Sequence, residues 1–127
     1  MLALAGAYNL AWAAWAVLAP EHSFTHSGME DPEKPLGYPQ LWQGIGFFVG
    51  LFGVAYLLAA SNPLKHWGIV AVGLLGKVAG PVGQAGGVAM GNARPESLIL
   101  SIPNDLVWWV PFALVLRHAW LADRGRA

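Results

Sequence analysis

No cysteine occurs among the 127 residues of the chain. That absence excludes disulfides, thiolate metal sites and thiol redox chemistry, and it leaves the redox compartment open. Charge is nearly as scarce: Asp, Glu, Lys and Arg together make up 11% and balance to a formal net charge of zero. With no basic tract or nucleic-acid motif, nothing points to DNA or RNA as a partner. Catalytic signatures are missing as well. The sequence holds no serine-nucleophile motif, no phosphate-binding loop and no paired carboxylates spaced for acid-base work.

Apolar residues dominate instead. They account for 56% of the chain, and the mean hydropathy is +0.48. That is more apolar surface than an ordinary soluble domain of this size carries, and it predicts a bilayer protein. Four apolar segments stand out, at about 2–19, 41–60, 67–90 and 98–116. Each is close to the ~20 residues that cross ~30 Å of hydrocarbon at ~1.5 Å per residue. They lack the period-two alternation of a barrel, and lipid tolerates no open sheet edge. The expected architecture is therefore all-α: an antiparallel integral membrane four-helix bundle forming a single domain over 1–127, without an internal repeat. The loop at about 20–40 is long, whereas SNPLKH and GNARPES are tight connections that make sequential helices antiparallel. The first segment has no Lys or Arg ahead of its apolar run and is rich in aromatics, so it is expected to be a retained helix rather than a signal peptide.

Loop charges predict the orientation. Lys65, Arg117, Arg124 and Arg126 fall on the side of the SNPLKH turn and the C-terminal tail, against Lys34 and Arg94 on the other side. Both termini are thus expected in the cytoplasm, with the acidic loop of Glu21, Glu30, Asp31 and Glu33 outside. Tyr38 and Trp42 on the outer side, and Trp67 and Trp120 on the inner side, suit interfacial aromatic belts.

Polar residues inside the apolar segments are the candidate site. Lys77 lies roughly 16 Å from the inner end of the third segment, and Asp105 roughly 18 Å from the same surface on the fourth, at ~1.5 Å per residue. An ionised side chain at the centre of a lone helix costs about 2.5 to 3.5 kcal/mol on insertion scales, so two of opposite sign at one height are expected to pair. Asn9, about 12 Å deep, and Asn104 join them in a predicted buried layer. Gln43 and Gln84, each roughly 27 Å from the inner surface, predict a second polar rung.

Glycine spacing predicts how helices approach. Gly73, Gly76, Gly80, Gly83 and Gly87 mark one smooth face of the third segment, and Gly46 with Gly50 makes a small-xxx-small pair on the second. Close backbone contact is the expectation at both. Pro81 removes the N–H that would bond the Lys77 carbonyl, which predicts a kink or a free carbonyl beside the charge. Pro103 and Pro111 bracket Asp105 and are expected to bend the fourth segment.

Histidine raises metal and haem chemistry. His66 and His118 fall at the inner edge, where interfacial roles suffice. In the long loop, His22 and His26 with Glu21, Met29, Glu30 and Asp31 are weak candidates for a zinc or copper site, while Gly28 and Pro32 argue against a long helix there. Trp108 and Trp109 are placed to pack against a ring, acyl chains or neighbouring helices. No cofactor is expected.

The segments GAYNLAWAAWAVLAP, LWQGIGFFVGLFGVAY, HWGIVAVGLLGKVAGPVG and NDLVWWVPF together resemble a family of small, poorly characterised bacterial four-helix membrane proteins, over nearly the whole chain. The architecture is also similar to DoxX-like membrane proteins. The resemblance implies a multi-pass fold in a bacterial inner membrane and sets Lys77, Asn104 and Asp105 within the family's recognisable segments. Members of the closer family sometimes carry the automatic label alkyl hydroperoxide reductase. That activity implies a peroxidatic thiol, which a chain without cysteine cannot supply. The leading expectation is a non-enzymatic accessory or scaffold subunit of a larger membrane assembly, with the bilayer and other membrane subunits or further copies of itself as partners. Two alternatives stand beside it: a proton-coupled or small-solute transporter working through Lys77 and Asp105, and a quinone- or haem-associated redox protein.

Overall fold

The computed structural model describes residues 1–28 and 36–126, which form helices joined by turns and short irregular stretches and contain no strand. The first helix, α1, covers Leu2–Leu18. It stops because Ala19 leaves helical space at φ −136° and ψ 66°, as a residue before proline tends to, and Pro20 has no N–H with which to continue the ladder. A second, seven-residue helix, α2, then runs over Pro20–His26 at 118° to α1. The long loop expected from the sequence at about 20–40 therefore begins as a helix. It had no apolar periodicity to announce it, since seven residues make only two turns. Gly28 ends this element in the left-handed region at φ 68°, where a side chain would be strained.

Two full-length helices follow, α3 over Pro39–Ser61 and α4 over Trp67–Ala89, with 23 residues each. The fourth apolar segment is not one uniform helix starting near 98. It opens as a 3₁₀ helix over Pro95–Leu100, passes through a π-turn over Ile102–Leu106, and becomes α-helical as α5 over Val107–Arg124. Pro39–Ser61, Trp67–Ala89 and the composite Pro95–Arg124 are long and apolar enough to cross a membrane; α1 with α2 would make a fourth if taken as one broken span.

Packing between α1 and α3 is backbone on backbone. A Cβ on Gly6 would sit 2.8 Å from the Gly53 carbonyl oxygen, and a Cβ on Gly53 would sit 2.9 Å from that of Gly6. Gly46 and Gly50 continue the seam against Ala16 and Ala13. The buried residues of α1 (Leu2, Ala5, Gly6, Asn9, Ala13 and Ala16) recur at spacings of one, three and four, the stripe a helix presents to one neighbour.

The glycines of α4 work differently from the smooth backbone face expected of them. Gly73 receives the ring of Tyr56, and Gly80 receives the carboxylate of Asp105, while Gly76 and Gly83 have nothing within 4 Å. They make room for side chains and for space rather than for another helix axis. Below Gly76, toward the turn between α3 and α4, lies an apolar plug: Tyr56 and Phe112 meet edge to face with centroids 5.0 Å apart, backed by Leu2, Ala5, Ala59 and Val70.

Candidate functional site

Above the plug, Lys77 is 7% exposed, on the same face of α4 as Val70 and Gly73. Its ammonium carries three N–H bonds and finds three acceptors. It donates to Asn9 Oδ1 at 3.3 Å and to the Asn104 carbonyl, and it faces Asp105 Oδ1 at 3.6 Å. Asn9 in turn donates from Nδ2 to the Val49 carbonyl on α3 at 3.4 Å, and the Tyr8 hydroxyl donates to Asn104 Oδ1. One connected polar layer thus ties α1, α3, α4 and the π-turn together. Four hydrogen bonds and one ion pair run through it, and partners of that kind let a buried polar network rigidify rather than destabilise.

The π-turn is what presents Asn104 and Asp105. There the Val107 N–H reaches back five residues to Ile102, next to Pro103, whose ring cannot donate. Two carbonyls of the turn take side-chain donors: Asn104 accepts from Lys77, and Pro103 accepts from the Trp108 indole at 2.9 Å. Gly80 lets the strand of charge close up, because a Cβ there would lie 3.0 Å from Asp105 Oδ2. The carbonyl that Pro81 frees is also occupied. Trp109 Nε1 donates to the Lys77 oxygen at 2.9 Å, so the proline leaves no orphan acceptor.

A cavity of about 340 Å³ rests on this layer. Its base is Tyr8, Asn9, Lys77, Asn104 and Asp105; its upper wall includes Gln84, Ser97 and Ser101; its apolar wall is Trp12, Trp42, Ile45, Val49 and Leu100. The C-terminal turn of α2 forms the roof through Ser27. α2 is held there by Trp42, which donates from Nε1 to Ser23 Oγ at 2.8 Å and packs edge-on against both Phe24 and Trp12. Trp42 is only 6% exposed and so does not belong to an interfacial belt; the helix folded back over it had no signal in the sequence. The Trp12 indole N–H is buried and meets no hydrogen-bond partner among the described residues.

Of the residues singled out from the sequence, the structure brings Asn9, Lys77, Asn104 and Asp105 together and adds Tyr8, a phenol next to Asn9 that the sequence did not distinguish from any other membrane aromatic. Gln43 and Gln84 form no common rung. Gln43 donates to the Val17 carbonyl of α1 at 2.8 Å, while Gln84 donates to Ser97 Oγ beside the cavity. Height along a helix does not give direction around it. His22 and His26 stack with ring centroids 4.1 Å apart on α2, and Trp15 donates to His22 Nδ1 at 2.9 Å, which occupies the lone pair of that nitrogen. Among the described residues no three His, Asp or Glu side chains converge as a metal site requires. The remaining loop candidates, Met29, Glu30 and Asp31, lie outside the described residues, as do Pro32, Glu33 and Lys34. Trp108 and Trp109 turn their N–H groups inward to the two carbonyls named above. Comparison of the chain with protein-family models, with curated proteins and with solved structures finds no match.

Proposed function

We propose that the protein is a small multi-pass membrane protein, with both termini on the cytoplasmic side, that binds a small molecule in the cavity above Lys77 and Asp105. A bacterial inner membrane is the setting, and the reading belongs with the solute-carrier class rather than with redox enzymes. The observation that carries it is the cavity itself: about 340 Å³ resting on a paired, charge-bearing layer is within the range of ligand pockets, with a mostly apolar wall and a few convergent polar groups. An accessory or scaffold role, which small size and missing catalytic motifs suggest, requires no such space. Large apolar side chains exposed along α3, α4 and α5, such as Phe47, Phe48, Leu75 and Val110, support insertion in lipid. Resemblance to small four-helix membrane proteins of DoxX-like architecture agrees with the fold and contributes no activity.

Because the natural chain has no thiol, single cysteines report cleanly. In sealed vesicles, Lys65→Cys and Asn92→Cys should react with a membrane-impermeant maleimide from opposite sides. Ser101→Cys, on the cavity wall, should react with a small neutral methanethiosulfonate, and Phe112→Cys, in the plug, should not. Labelling of Lys65→Cys and Asn92→Cys from one side would defeat the topology, and an inert Ser101→Cys would defeat the binding cavity.

A further inference from the structure

The cavity has a door on its flank. Of the residues that line it, Ile45 of α3 and Gly76 of α4 are exposed, as is Gly80, which lies against Asp105; the others are buried or half-buried. Gly76 is the informative one. Glycine in a helix interior costs about 0.5 to 1 kcal/mol relative to alanine, and the usual return is close packing. Here a Cβ would meet nothing within 4 Å, so packing does not account for it. What its missing side chain preserves is the opening.

The charge of the lining narrows what can enter. Lys77 and Asp105 are its two charge-bearing groups of opposite sign and they pair with each other, while the Lys77 amine also donates to Asn9 Oδ1 and the Asn104 carbonyl. An ionic guest would bring a charge with no counter-charge into a poorly solvated space, which costs several kcal/mol unless paired. Hydroxyls and amides of the upper wall offer hydrogen bonds to a neutral head, and the indoles of Trp12 and Trp42 offer an apolar flank.

We propose that the cavity takes an uncharged amphiphile, an apolar chain with a small hydrogen-bonding head such as an alcohol or ketone, and that it enters sideways from the hydrocarbon phase past Gly76. This rests on the membrane-binding reading above and adds the ligand class and route. In lipid nanodiscs, a diazirine-bearing long-chain alcohol should label the α3 and α4 walls saturably. Excess 1-decanol should displace it, whereas decanoate, decylammonium and glycerol should not. Gly76→Leu, whose Cβ meets no neighbour within 4 Å and whose longer side chain would obstruct the opening, should weaken labelling about tenfold or more while leaving the unfolding midpoint unchanged or higher. Displacement by decanoate or decylammonium would overturn the uncharged head, and unchanged labelling in Gly76→Leu would overturn the lateral route. Displacement by glycerol would sink the amphiphile while leaving a solute-binding cavity standing. Labelling confined to outer helix faces, with Ser101→Cys inert to thiol reagents, would sink both.

Discussion

The indole N–H of Trp109 donates to the backbone carbonyl of Lys77, 2.9 Å away, replacing the helical donor that Pro81 cannot supply. Two residues 32 apart in sequence thereby repair one break in the α4 ladder. Trp109→Phe should strand that carbonyl and cost about 1 to 3 kcal/mol of stability in detergent unfolding. Adding Pro81→Ala restores an N–H four residues on, so the double variant should recover most of the loss. Additive losses would show that the indole contributes packing and not this bond.

Removing one member of the buried charge pair should hurt more than removing both. Lys77→Met leaves Asp105 without its cation and is expected to cost about 3 to 5 kcal/mol, and Lys77→Met with Asp105→Asn should be distinctly more stable than the single variant. A charge swap should not achieve the same recovery. Asp at position 77 would meet the Asn104 carbonyl and Asn9 Oδ1, both acceptors, where a donor now stands. Equilibrium unfolding of the three variants beside the unaltered protein separates these outcomes; full recovery in the swap would mean that the backbone contact to Asn104 is dispensable.

The α1 and α3 seam tolerates no side chain at its crossing. Gly6→Ala or Gly53→Ala drives a methyl within 3 Å of a facing carbonyl oxygen and should cost about 1 to 3 kcal/mol. Gly44→Ala and Gly68→Ala, also helical, have open space around the new methyl and should be neutral or stabilising by about 0.5 to 1 kcal/mol. Thermal unfolding of the four single variants checks the ranking.

Docking of α2 rests on two indoles, and the buried one is Trp42. A helix of seven residues does not hold itself in isolation, so its order comes from Ser23 and Phe24 against Trp42, with Trp15 bonded to His22 at the exposed side. Trp42→Phe, which keeps a ring and loses the donor, should speed amide exchange across 20–26 by several-fold while leaving the centre of α3 protected. Unchanged exchange in that segment would move the anchor elsewhere.

Run length and depth along the chain were readable from residues alone. Segments of about 20 apolar residues mark where helices go, and counting rise from His66 and from Arg117, at the inner ends of the third and fourth segments, places Lys77 and Asp105 at similar height; in the structure they stand 3.6 Å apart. What one-dimensional counting misses is azimuth and local irregularity. Gln43 and Gln84 share a height yet point to different neighbours. The α4 glycines announce a smooth face without saying whether a backbone, a tyrosine ring or empty space lies against it. Pro103 signals that the fourth segment bends, but a π-turn that aims Asn104 and Asp105 at Lys77 depends on contacts 27 residues away. Tyr8 and Trp42 look like interfacial aromatics until a helix folds over one and an amide meets the other.

Tyr56, lodged over Gly73 and edge-on to Phe112, seals the molecule beneath its charged layer. In the membrane setting proposed above, an ion arriving from the α3 and α4 turn would meet these two packed rings before the charged layer. The pair would then act as a stopper, keeping that layer from opening a proton leak toward the turn.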